Sequence, residues 1–221
     1  MNCNRNVIIL LTVAILTILI GCGNDDCPTC PQTTVIDTVL YENFDSYNNG
    51  TFPSAGSWVL MNSGAGTQYQ VVSNNFSHSG DKSMQLRGSS PNYAADVYHS
   101  IDIPINTDSV WFECWLKTPS DSGIEHDDCG LNAKYVALGY DNYRKLLDGL
   151  MPAELNTWYK LTMLICVPNQ TYTFWVNDNL VLEDGIWTGA YSGFDKVTMH
   201  AGWAFSDYYF DDIRVWYRLK L

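Results

Sequence analysis

Basic residues are scarce in this sequence. Twelve Lys and Arg face 24 Asp and Glu, for a formal net charge of −12 over 221 residues. A chain so acidic repels phosphate backbones and anionic lipid surfaces, so nucleic acid is not an expected partner. Long helical periodicity is missing, which argues against a bundle or an α/β layer. No internal repeat is visible, which excludes solenoids and propellers. Histidine is limited to four residues, His78, His99, His126 and His200, and their scatter reads as surface or satisfied core positions. Aromatics are not scarce: they make up 14% of the chain, too many for a disordered acidic segment.

The N-terminus is organised differently from the rest. Arg5 is followed by Val7 to Ile20, apolar except for Thr12 and Thr17, and the run ends at Leu19-Ile20-Gly21-Cys22. The apolar stretch has signal-peptide length and falls short of the roughly 20 residues a membrane span needs. The last four residues resemble the lipobox of bacterial lipoproteins. That resemblance implies a signal peptide over residues 1–21, cleavage before Cys22, and acylation of Cys22. Two or three acyl chains anchor firmly, each buried CH₂ contributing about 0.8 kcal/mol. The expected location is extracytoplasmic, on a bacterial membrane, the cell surface included. Residues 22–34, polar and carrying Pro28 and Pro31, read as a tether. Cys27-Pro28-Thr29-Cys30 has redox-motif spacing but no βαβ context. It also lacks the second close Cys/His pair that zinc would need, so it reads as linker chemistry.

From residue 35 to residue 221 the punctuation is of β type. Short alternating runs are separated by Gly, Asn, Asp, Ser and Pro clusters. Strands are expected at 35–41, 57–60, 69–72, 83–86, 94–101, 110–117, 134–140, 145–147, 158–167, 171–176, 196–203 and 213–219. Asp207-Tyr208 reads as a turn, 125–128 as a loop, and Asn177-Asp178-Asn179 as a hairpin turn leading into a short strand at 180–182. A dozen strands with hairpin signals predict one all-β domain, a two-sheet antiparallel jelly-roll sandwich. Besides Cys3 and Cys22, five cysteines remain: Cys27, Cys30, Cys114, Cys129 and Cys166. A disulfide is expected at Cys166, to Cys129 or Cys114. Alternation turns Cys114 and Cys166 to opposite faces, whereas Cys129, read as lying in a loop, is able to reach over.

An ordered set of motifs carries a further resemblance. Glu42-Asn43-Phe44-Asp45 opens the domain. Ser79-Gly80-Asp81-Lys82-Ser83-Met84 follows, then Val110-Trp111-Phe112-Glu113-Cys114-Trp115, then Tyr172-Thr173-Phe174-Trp175-Val176. Phe210-Asp211-Asp212-Ile213-Arg214-Val215-Trp216 closes it. The set resembles the concanavalin A-like lectin/glucanase superfamily with its laminin-G-like modules. The resemblance implies a structural Ca²⁺ on the convex side, with ligands from the opening segment (Glu42, Asn43, Asp45), the Gly80 carbonyl and Asp211.

Alternation adds a binding face. Val110, Phe112, Cys114 and Leu116 share the core side of their strand, and Trp111, Glu113, Trp115 and Lys117 share the other. On the next hairpin Trp175 lies opposite the core-facing Tyr172, Phe174 and Val176. Indoles among polar groups suit a pyranose, whose apolar side stacks while its hydroxyls find partners. Trp111, Glu113, Trp115 and Trp175 are therefore the expected carbohydrate-binding residues. The Glu-x-Asp-x-x-Glu motif of the superfamily's retaining glucanases is absent, so no catalytic residues are assigned. The reading that follows is a membrane-anchored carbohydrate-binding module. A structural or adhesive lipoprotein that contacts proteins, and a polysaccharide-cleaving enzyme of the same fold, are the alternatives.

Overall fold

Strict alternation of apolar and polar side chains builds a molecule of strands. A computed structural model describes residues 36–60, 66–87, 95–117, 127–131, 136–141, 145–146, 151–152, 154–186, 193–201 and 207–219, with the backbone alone over 127–152. Residues 1–21, expected as a signal peptide, and residues 22–34, expected as a tether with Cys22, Cys27 and Cys30, lie outside these residues. The strands are β1 (Ile36–Glu42), β2 (Trp58–Leu60), β3 (Gln70–Ser73), β4 (Ser83–Arg87), β5 (Ala95–Ser100), β6 (Thr107–Lys117), β7 (Asp127–Leu131), β8 (Val136–Asp141), β9 (Lys145–Leu146), β10 (Met151–Pro152), β11 (Trp158–Cys166), β12 (Thr171–Val176), β13 (Asn179–Ile186), β14 (Lys196–Ala201) and β15 (Asp207–Leu219).

The strands form two antiparallel sheets, and the fold is a jelly-roll sandwich. The larger runs β13-β12-β11-β6-β15-β4-β3, with β1 paired to β15, and the smaller runs β10-β9-β8-β7-β14-β5-β2. One buried cluster draws on both: Phe112, Leu116, Leu161, Met163 and Phe210 from the larger sheet, and Val97, Val197 and Met199 from the smaller. Burying such side chains contributes about 1.5–3 kcal/mol each, and alternation brings Val110, Phe112, Cys114 and Leu116 of β6 and Tyr159, Leu161, Met163 and Ile165 of β11 into the cluster.

Three expectations are corrected. Asp207 and Tyr208 are not a turn: they begin β15 and pair with Arg87 and Leu86. Asp127, Asp128 and Cys129, read as loop, belong to β7, which lies between β14 and β8, so Cys129 sits on a strand opposite Met199. The short strand expected at 180–182 extends over Asn179–Ile186. Cys166 is disulfide-bonded, and so is Cys114. Cys114 pairs in register with Leu161 whereas Cys166 pairs with Ser109. Five rungs separate the two, roughly 17 Å of strand, far beyond the roughly 7 Å a disulfide allows between Cα atoms. They are therefore not bonded to each other, and the side chain of Cys129 lies outside the described residues.

Candidate functional site

The antiparallel ladders of the larger sheet bring residues from five strands into one row on its outer face. Trp175 of β12 pairs with Thr162 of β11, Thr162 with Glu113 of β6, Glu113 with Arg214 of β15, and Arg214 with Tyr41 of β1. Four strand spacings make the row roughly 19 Å long. Its ends are aromatic: Trp175 is partly exposed and Tyr41 is 61% exposed. Its centre is polar. Glu113 sits 3.2 Å from Lys160 Nζ and accepts a hydrogen bond from Thr162 Oγ1 at 3.4 Å. Lys160 also donates to Asp178 Oδ1 at 2.9 Å. Burial alone would lower the Lys160 pKa, but the Asp178 hydrogen bond and the Glu113 charge outweigh it and the pKa is raised.

The four expected sugar-contacting residues are thus divided. Glu113 and Trp175 belong to the open row. Trp111 is 8% exposed. Its ring lies parallel to Trp216 with centroids 6.0 Å apart, and the Arg218 guanidinium stands 5.3 Å over it. Trp115 has lost one face to His78, whose ring stacks on it at 3.5 Å. The segment around Phe76 and His78 covers this end of the sheet: Phe76 packs edge-on to Tyr209, and Lys117 Nζ sits 4.3 Å from the Phe76 ring. Burial lowers the pKa of that ammonium. Alternation on β6 could not reveal a cover supplied by a segment some 35 residues earlier in the chain. Tyr41 and Arg214 were missed in turn, although alternation along β15 places Arg214 beside Trp216 on the outer face.

The residues expected to hold calcium meet at one corner without forming a single ligand set. Glu42 turns to the core side, accepting from Phe44 N at 2.8 Å through one oxygen, and from Tyr47 Oη at 2.5 Å and Trp58 Nε1 at 3.4 Å through the other. Asp45 Oδ1 accepts the N–H groups of Asp81 and Lys82 at 2.8 and 3.0 Å. Asp45 Oδ2 lies against Gly80, where a Cβ would meet it at 1.8 Å and where φ is +57°. The Gly80 carbonyl accepts from Ser77 Oγ at 3.1 Å. Asp211, fully buried, accepts from the N–H groups of His78, Ser79 and Asp212. Burial, with the neighbouring Asp212 charge, holds the Asp211 pKa up at about 6 against the pull of these N–H groups. A cation is nonetheless present: Lys82 Nζ donates to the carbonyls of Asp45 and Tyr47 at 2.6 and 2.8 Å. Among the described residues no group of three or more His, Cys, Asp and Glu side chains is arranged to hold a metal ion.

No family model and no curated protein matches the chain. Solved structures match it in fold. A sialidase superposes with a TM-score of 0.59 at 10% identity over 84% of this chain, which spans 19% of the sialidase's length. The carbohydrate esterase vb_24B_21 of the Shiga toxin-encoding bacteriophage phi24B gives 0.58 at 12% identity, covering 83% of this chain and 99% of its own. The catalytic domain of a glycoside hydrolase family 131 protein from Coprinopsis cinerea gives 0.57 at 12%, covering 81% and 94%. At these identities the likeness is one of fold.

Proposed function

We propose that this chain is a carbohydrate-binding domain, carried outside the cytoplasm on a lipidated Cys22, which holds a polysaccharide along the row from Trp175 to Tyr41. The observation that carries the reading is the row itself: two accessible rings at its ends, with Thr162, Glu113 and Arg214 between them. Rings offer stacking surfaces for the apolar sides of pyranoses, and the polar centre offers donors and acceptors for hydroxyls. A span of this length suits an oligosaccharide segment better than one ring. The fold supports the reading, since the structures it superposes on include a sialidase, a carbohydrate esterase and a glycoside hydrolase domain.

Affinity electrophoresis of residues 22–221 against a panel of neutral and acidic polysaccharides tests it. At least one polysaccharide retards the protein, and Trp175→Ala and Tyr41→Ala each weaken binding about tenfold, the equivalent of about 1.4 kcal/mol. Full-strength binding by the double variant would refute this row as the site.

A further inference from the structure

Arg214 carries an open positive charge in a chain where 24 acids stand against 12 Lys and Arg. Its side chain is exposed, and its guanidinium makes no ion pair and no hydrogen bond among the described residues. The acids nearest to it in the sheet are engaged elsewhere. Glu113 is its register partner on β6, where facing Cβ atoms lie about 4.5–5.5 Å apart. Yet the Glu113 carboxylate turns the other way, to Lys160 Nζ at 3.2 Å and Thr162 Oγ1 at 3.4 Å. Asp212 Oδ1 accepts from Ser79 Oγ at 2.7 Å and from Tyr41 Oη at 3.4 Å, and Asp212 Oδ2 lies 2.6 Å from His78 Nδ1. What Arg214 does touch is an indole: its guanidinium carbon stands 4.7 Å from the Trp216 ring centroid. Trp216 is in turn braced by the parallel ring of Trp111. Stacking uses the flat face of a guanidinium and leaves its in-plane N–H groups free to donate. On the other side of Arg214, its register partner on β1 is the exposed Tyr41.

We infer that Arg214 selects an acidic polysaccharide, receiving the carboxylate of a uronic acid whose ring stacks on Tyr41. The inference rests on the carbohydrate-binding reading above and names the class of sugar that the row takes. A guanidinium offers paired N–H donors whose geometry matches the two oxygens of a carboxylate. In a pyranose uronate the carboxylate projects from the edge of the ring. A ring lying on Tyr41 therefore carries it towards the adjacent strand, one spacing of about 4.8 Å away, where Arg214 stands. A neutral sugar offers that position a hydroxyl and no charge. The net charge of −12 opposes any polyanion at long range, but charges more than about 8 Å apart are largely screened at physiological salt. At closer range Arg214 is the open charge of the row, since Glu113 is paired with Lys160.

The test uses residues 22–221 in affinity gels with polygalacturonate, alginate and hyaluronan, each beside its methyl-esterified form, and with dextran and dextran sulfate. At least one uronate polymer should bind about tenfold more tightly than its ester, because esterification removes the charge and keeps the sugar. Arg214→Gln should lose the same factor of about ten and bind polymer and ester alike. The ester comparison is made on the unaltered protein, so it holds whether or not the variant folds. Equal binding of every uronate polymer and its ester, undiminished uronate binding by folded Arg214→Gln, or a preference for dextran sulfate over all three uronates would each overturn the inference while leaving the row a sugar site. Binding to none of the polymers would overturn the carbohydrate-binding reading and the inference with it.

Discussion

Lys82 and Asp211 show how single residues hold the corner where the opening segment meets the closing strand. The Lys82 ammonium donates to two carbonyl oxygens of the opening segment, those of Asp45 and Tyr47. Lys82→Met keeps the stem but removes the charge and both hydrogen bonds, which should cost about 2–3 kcal/mol by loss of charge-assisted bonds. The expected result is a lowered melting temperature for Lys82→Met, read by calorimetry. Asp211 sets a pH dependence. Its pKa is about 6 in the fold, above its ordinary 3.8, so between those values the folded state binds more protons than the unfolded one. This contribution is present at acid pH and is lost as pH rises through about 6. Thermal unfolding should therefore show a gain in stability on lowering pH from 7 towards 5, on the order of 1 kcal/mol from this group. Asp212 and His78 face each other at 2.6 Å beside it. Asp211→Asn should flatten the slope, at an overall loss because its amide opposes one of the three N–H donors.

At the scale of elements, alternation was legible wherever a strand has one core face. The pattern of β6 placed Phe112 and Cys114 inward and Glu113 outward, and the ladders agree. Alternation names a face but not its cover, which is why Trp111 and Trp115 looked open in the sequence. β7 was not legible, because Asp127-Asp128-Cys129-Gly130 has turn composition and its strand geometry comes from pairing with β14 and β8 on either side. Tyr41 and Arg214 come from the first and last strands described, so no local pattern joins them. The hairpin joining β12 to β13 was legible, and its turn has the left-handed residues such turns require, Asn177 at φ 49° and Asp178 at φ 63°. Asn177 also clasps the adjacent strand: its Oδ1 accepts from Lys160 N and its N donates to Lys160 O, both at 2.9 Å. Asn177→Ala should cost about 1–2 kcal/mol through backbone strain and the lost side-chain bond, measured by urea unfolding.

For the whole molecule, the absent helical periodicity and the short alternating runs between turn clusters were enough to indicate a β-sandwich. Partner and anchor are matters the fold alone does not carry. The lipid anchor has its own test. Cys22→Ser should move the protein from the membrane to the soluble extracytoplasmic fraction, and mass spectrometry of the native protein should find acyl chains on the Cys22 peptide. An unmodified Cys22 would refute the anchor.

β1 and β15, the first and last strands described, run side by side through six paired residues, from Ile36 with Arg218 to Glu42 with Ile213. A tension applied to the chain ahead of Ile36, while a bound polymer holds the sheet, runs along β1 and across its hydrogen bonds. The bonds then share the load in shear and do not open one after another like a zipper. The mechanical strength of the domain would reside in this one seam, and single-molecule pulling from the N-terminus should find it yielding in a single step.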